Sequence, residues 1–152
     1  MTPSTTPALT LANDSLSVRQ IGPWLHEVLD GVPPEESGDL ASRLELAVHE
    51  VAMNVVDHAS LPPDAMIRVT AEITESLVEI TVTDPGEAFD PDGTSPPVAV
   101  VPQERGYGLM IIQKLVDQLS YSRLEAGNQW TLRINRIGPA DRGEAERINP
   151  HG

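Results

Sequence analysis

Glu50, Asn54 and His58 recur at four-residue steps in the segment EVAMNVVDH, with Asp57 beside the last of them. On a helix that spacing stacks the side chains along one stripe. The stripe borders the apolar positions Val48, Val51 and Val55, so partial burial is expected. A solvated acidic face would account for any one of these residues. It accounts poorly for the set, because asparagine is a weak helix former that usually sits at a cap. A zinc-protease helix is excluded, since His49-Glu50-Val51-Ala52 is followed by Met53 where a second histidine should stand.

Two further segments carry polar chemistry. In Thr83-Asp84-Pro85-Gly86-Glu87-Ala88-Phe89-Asp90 an apolar run ends at a carboxylate and turns through Pro and Gly. Asp84 at a strand end can accept a hydrogen bond from an exocyclic amine, and Gly86 lets backbone approach a flat ring. Asp-Pro-Gly is also ordinary turn chemistry. In Glu104-Arg105-Gly106-Tyr107-Gly108-Leu109 a loop enters a helix through Gly-x-Gly. Free N–H groups at such a helix start can receive phosphate oxygens, and Arg105 would add a positive charge there. The plain alternative is a flexible helix start. No strand leads directly into this segment and a third glycine is missing, so it is not a dinucleotide-binding fingerprint.

The elements that must position these groups are legible as patterns. Pro7 to Ala12 reads as a short edge strand. Ser15 can cap a helix through LSVRQIGPWLHEVLD, with Leu16, Ile21, Trp24, Leu25 and Val28 as its apolar members and Pro23 kinking it or delaying its regular part. VPPEESGD reads as a loop by its Pro and Gly content. Asp39 then opens the strongest helix, in which Leu40, Leu44, Ala47, Val48, Val51 and Val55 recur at three- and four-residue steps. Met66–Thr74 and Leu77–Asp84 form a predicted hairpin about Glu75-Ser76. Residues 85–105 hold five prolines without periodicity, and long loops are often lids. Tyr107–Leu119 reads as a helix, and LSYSRLE and NQWTLRINR as a closing pair of strands around Gly127. Strands in hairpins and helices in a separate group, without regular alternation, predict an α+β two-layer sandwich, with a mixed, mostly antiparallel sheet and three helices on one face. The domain is expected over residues 10–136, between a flexible stretch 1–9 and a disordered tail 137–152.

Composition removes several classes of function. The chain has 152 residues with 23 acidic and 10 basic side chains, a formal charge of −13. That surface repels phosphate backbones and anionic lipid, so direct nucleic-acid or membrane binding is not expected. Cysteine is absent, which excludes disulfides, thiolate metal sites and thiol nucleophiles. The single lysine, Lys114, lies in IIQKLVDQL. It therefore serves neither a Walker A loop nor the strand lysine of a eukaryotic-type kinase. No export signal is legible, and a cytoplasmic protein is the expectation.

Taken together, the three polar segments resemble in order and spacing the N, G1 and G2 boxes of the GHKL ATP-binding superfamily. The nearer resemblance is to the small bacterial anti-sigma factor serine/threonine kinases. LAVHEVAMNVVDHA is similar to that family's Glu-x-x-x-Asn-x-x-x-His helix, TDPGEAFDP to its Asp-x-Gly-x-Gly-Phe-Asp-Pro turn, and RGYGLMIIQKLVDQLSY to its Gly-x-Gly-Leu helix and following strand. The resemblance spans about residues 10–136 and implies a Bergerat-type fold binding ATP and Mg²⁺. No dimerisation helix or phosphorylatable histidine module is legible, which fits this stand-alone branch.

By that resemblance Asn54 would hold Mg²⁺, for which one amide oxygen plus phosphate and water suffices. Glu50 would be the general base for an attacking hydroxyl. Asp84 would accept from the adenine amino group, with Gly86 and Ala88 beside the base. Arg105, Gly106, Tyr107, Gly108 and Leu109 would bind phosphates, and residues 87–105 would form a lid. Asp57 and His58 would face the same pocket. The implied function is phosphorylation of an anti-anti-sigma (STAS) protein and binding of a sigma factor, with homodimerisation common in the family. The chain departs from the family pattern at Ala88, at Glu104 and at Asn128, where glycine, glycine and threonine are usual. Two other readings stand beside the kinase: a non-catalytic module of the same fold that sequesters a partner, and, less well supported, an ATP hydrolase or histidine-kinase fragment.

Overall fold

In the computed structural model the described residues are 6–58, 61–62, 64–87 and 112–136. The chain runs through β1 (Ala8–Ala12), α1 (Ser15–Val18), α2 (Ile21–Val28), a 3-10 turn (Leu29–Gly31), α3 (Pro34–His58), β2 (Met66–Ile73) and β3 (Leu77–Asp84). It resumes with a helical turn at 112–115, followed by β4 (Gln118–Leu124) and β5 (Gly127–Asn135). The five strands form one sheet in the order β1-β2-β3-β5-β4, and every neighbouring pair is antiparallel. The two-layer α+β sandwich is as the sequence predicts. The expected mixed character is not found among the described residues: β4 runs parallel to β3, but β5 lies between them and pairs antiparallel with both.

Alternation explains the layering. Along β3 every second residue, Val78, Ile80 and Val82, is fully buried. The neighbouring strands contribute Ile67, Val69 and Ala71 from β2 and Trp130, Leu132 and Ile134 from β5 to the same face. The opposite face carries Thr70, Thr81 and Thr131 in register across three strands, residues that suit a pleated, partly solvated surface. The helices cover the apolar face. On α3, Leu40, Leu44, Ala47, Val48, Val51 and Val55 are all buried, as their spacing predicts. No helix among the described residues is long and apolar enough to cross a membrane.

Several boundaries differ from the sequence reading. VPPEESGD is not a loop, because α3 already begins at Pro34. Proline fits the first helical turn, where its missing N–H is not needed. Glu35 and Glu36 then complement the positive end of the helix dipole. The Glu36 carboxylate is also gripped by Arg136 at the end of β5, through Nε at 2.8 Å and Nη2 at 3.0 Å. The cap ahead of α1 is Asp14, which accepts from Ser17 N at 2.7 Å, rather than Ser15. Leu16 is 70% exposed instead of joining the core. The first expected helix is two helices, and Pro23 falls in the first turn of the second. The helix predicted to end at Leu119 ends at Leu115, because β4 begins at Gln118. The carbonyl of Leu115 accepts from Arg43 Nε of α3 at 2.8 Å. The closing hairpin turns at Glu125-Ala126, and Gly127 is already in the strand.

These anchors place the polar stripe of α3. Glu36 is tied to Arg136, whose Nη1 donates to Thr74 O at 2.7 Å. The N-terminus of α3 therefore sits at the β2–β3 turn. Asn54 lies eighteen residues further along, ~27 Å at 1.5 Å per residue. The eight residues of β3 span a similar ~25 Å. α3 packs against both β3 and β5, and its length from Glu36 to Asn54 matches that of the strand it covers.

Candidate functional site

Where β3 finishes at Asp84 and β5 starts at Gly127, the apolar inner face of the sheet gives way to a polar cluster. Asp84 and Asn128 face each other across β3 and β5, and Asn128 faces Arg123 across β5 and β4. Asp84 and Asn128 are 4% and 1% exposed, the only polar side chains in the buried set among the described residues. A buried polar group is tolerated only if it is hydrogen-bonded or has work to do. Asp84 Oδ1 accepts from Gly86 N at 2.7 Å and from Asn128 Nδ2 at 3.0 Å. Asp84 Oδ2 is buried and has no partner. Burial pushes the Asp84 carboxyl above its ordinary range, opposed by the hydrogen bonds from Asn128 and Gly86 and by the charge of Arg123.

Gly127 is required by space. A Cβ at this position would stand 2.0 Å from Asp84 O and 3.0 Å from Asp84 C. Only a glycine lets the start of β5 close onto the end of β3, which is what brings Asn128 to Asp84. Gly86 is itself buried, and its carbonyl accepts from Arg123 Nη1 at 2.7 Å. The turn that follows β3 is thus held from β4 as well as from β5.

On α3, Glu50 and Asn54 are partly buried and Asp57 is exposed, as a stripe at the margin of the apolar face should be. Asn54 Nδ2 is the second orphan: it is buried and makes no hydrogen bond. Of the three such atoms among the described residues, the third being Asn13 Oδ1, two belong to residues the sequence singles out. The site residues Ala88, Arg105, Gly106, Tyr107, Gly108 and Leu109 lie outside the described residues, as does the side chain of His58. What sequence reasoning underrated is the trio Tyr121, Arg123 and Asn128. Their signal was weak, since serine, tyrosine and arginine alternating along LSYSRLE look like any edge strand.

The arrangement fits a purine nucleotide. An unpartnered buried carboxylate oxygen is an acceptor waiting for an N–H donor of the kind the adenine amino group provides. Asn54 on α3 retains an unspent amide N–H. Among the described residues no three His, Cys, Asp or Glu side chains gather as a metal cage. A divalent cation here would draw on one amide oxygen and on ligand phosphates, the style magnesium prefers.

A five-stranded antiparallel sheet roofed by helices on one face, with a carboxylate at the end of a central strand and an asparagine on the covering helix, defines a nucleotide-binding α+β sandwich of the histidine-kinase catalytic type. The chain belongs to the histidine kinase-like ATPase domain family, whose model matches residues 11–134. It is 32% identical over 114 residues to the serine/threonine-protein kinase BtrW of Bordetella bronchiseptica, covering 72% of this chain and 79% of that one. The fold is shared with the RsbU and RsbW domains of Rv1364c from Mycobacterium tuberculosis (TM-score 0.64, 19% identity), over 90% of this chain and 34% of that longer one. It is also shared with the histidine kinase domain of the blue-light activated histidine kinase EL346 from Erythrobacter litoralis (TM-score 0.52, 19% identity), over 75% of this chain and 60% of that one. The family resemblance carried by the three polar segments is thereby borne out.

Proposed function

We propose that this chain is an ATP-dependent protein serine/threonine kinase of the anti-sigma type, acting in the cytoplasm on an anti-anti-sigma (STAS) protein and alternately holding a sigma factor. The observation that carries the reading is Asp84 Oδ2, a buried carboxylate oxygen left without a partner at the end of β3. Family membership and the kinase relative support it.

In this reading Asp84 Oδ2 receives the adenine amino group while Gly86 gives the ring room. Asn54 would hold Mg²⁺ through its amide oxygen, where the ion would supply charge to neutralise the phosphates. Glu50, one helical turn before Asn54, takes the proton of the partner's serine or threonine hydroxyl as that oxygen acquires the γ-phosphoryl group and ADP departs. Asp57 and His58 face the same pocket, behind its contact residues or on its ribose and base side. Arg105, Gly106, Tyr107, Gly108 and Leu109 are assigned to the phosphates, and Ala88 to the lid beside the base. The net charge of −13 complements a basic surface on a sigma factor.

Incubation with Mg·ATP and the STAS partner should label one serine or threonine on that partner. Glu50→Gln should abolish labelling while ATP remains bound, and undiminished labelling by that variant would refute Glu50 as base. The occupancy of the threonine position by Asn128, whose amide is consumed by other contacts, favours one second reading: a module that binds its partners without phosphorylating them. Calorimetry showing no Mg·ATP binding at millimolar nucleotide would select it.

A further inference from the structure

The Asn128 carboxamide uses every hydrogen-bonding capacity it has. Its Nδ2 donates to Asp84 Oδ1 at 3.0 Å and to Glu87 O at 2.7 Å. Its Oδ1 accepts from Arg123 Nη1 at 3.1 Å and from the Tyr121 hydroxyl. Two donor sites and two acceptor sites are the whole inventory of an amide. The orientation is fixed by this network, because a flipped amide would set its oxygen against two acceptors. Tyr121 is itself braced by Trp130, with ring centroids 4.8 Å apart. Asn128 is 1% exposed and has nothing left to offer a ligand.

Resting on the nucleotide reading above, we propose that Asn128 is a positioning residue for base selection: it occupies Asp84 Oδ1, leaves Oδ2 as that carboxylate's free acceptor for the base, and holds the Glu87 carbonyl in the turn that follows β3. An acceptor-only carboxylate suits a purine bearing an amino group at the 6-position. A 6-oxo purine would set oxygen against oxygen. Protonation of Asp84 would erase that distinction by converting an acceptor into a donor. Donation from Asn128 and Gly86 N opposes protonation, while burial favours it. Of the elements around Asp84, β4 supplies the cation Arg123 and β5 supplies the neutral Asn128. Losing the Asn128 donor tips this balance toward the protonated form. The same loss frees the Glu87 carbonyl.

The test compares the intact chain with Asn128→Leu and Asn128→Asp. The Asp84 carboxyl is titrated by ¹³C NMR without nucleotide, and ADP and IDP binding are measured across pH 5.5–8. A hydrogen bond to a charged group is worth ~1.5–3 kcal/mol, or ~10- to 100-fold in affinity. The wild type should prefer ADP to IDP at least ~10-fold. Asn128→Leu should raise the Asp84 midpoint, reduce that preference to a few-fold, and bind ADP more weakly as pH falls. Asn128→Asp should show the opposite slope. Near neutral pH two carboxylates repel; at lower pH one shared proton lets the introduced carboxyl donate to Asp84 and restore ADP binding. A structural role alone would not reverse the slope. Folded variants with an unmoved Asp84 midpoint and an unchanged ADP-to-IDP ratio would overturn the proposal. A wild type that binds neither nucleotide, with the midpoint still moved by the variants, would overturn the kinase reading and leave the positioning of Asp84 intact.

Discussion

Replacing Gly127 by alanine puts the geometry of the site to a direct trial. The added methyl would lie 2.0 Å from Asp84 O, 3.0 Å from Asp84 C and 3.1 Å from Pro85 Cα. Comfortable contact needs ~3.5 Å, so backbone must retreat from backbone by more than ~1 Å, with no flexible side chain to absorb it. Overpacking of a rigid site costs ~1–3 kcal/mol and occasionally more. Here the upper end is expected, because the retreat also stretches the Asp84–Asn128 hydrogen bond. For a domain of this size ~3 kcal/mol lowers Tm by ~10 °C. The site suffers beyond that, since Asp84 moves with its strand and ATP affinity should fall at least ~10-fold. Gly38→Ala is the matched control. Gly38 lies inside α3 and a Cβ there meets nothing within 4 Å. That substitution should raise stability by ~0.5–1 kcal/mol and leave ATP binding alone. Urea unfolding and calorimetry on both variants decide the matter. A Gly127→Ala protein within ~0.5 kcal/mol of wild type and with undiminished nucleotide affinity would refute the claim that this glycine sets the strand contact behind Asp84.

Other outcomes follow from the same geometry. Asp84→Asn keeps an acceptor for Gly86 N but turns an amide donor toward the base, so ATP affinity should drop ~10- to 100-fold in calorimetry. The folded Asp84 carboxyl titrates above its unfolded value of 3.8. The native state therefore holds the proton more tightly, and this group's contribution to stability falls as pH rises from the unfolded value through the raised one. Urea unfolding as a function of pH should show that slope in wild type and lose it in Asp84→Asn. Arg136→Met removes the partner of Glu36 in a pair whose side chains are only 16% and 12% exposed. It also removes the donor to Thr74 O. A loss of about 2–4 kcal/mol in urea unfolding is expected, with Glu36→Gln milder because a neutral amide tolerates burial better than a carboxylate. If Arg136→Met matches wild type, α3 is not anchored through this pair.

The sequence by itself determined the architecture of the covering helix and the hairpins. Residues at three- and four-residue steps from Leu40 to Val55 can only be buried together on a helix. Val78, Ile80 and Val82 at two-residue steps can only share one face of a strand. It also marked Glu50, Asn54, Asp84 and the Gly-x-Gly of 106–108, because polar groups set against apolar patterns stand out without coordinates. The start of α3 was hidden, since Pro33, Pro34 and Gly38 read as a loop until the Glu36–Arg136 pair, one hundred residues apart in the chain, supplies a reason for helix. The polar knot at the end of the sheet was equally hidden. Asn128 looked like a substitution near the base, whereas the folded chain spends its amide on Asp84, Glu87, Arg123 and Tyr121. Local patterns report which face of an element meets water. Which buried polar atoms find partners, and which one is left over for a ligand, depends on strand order and register, and only the tertiary structure decides those.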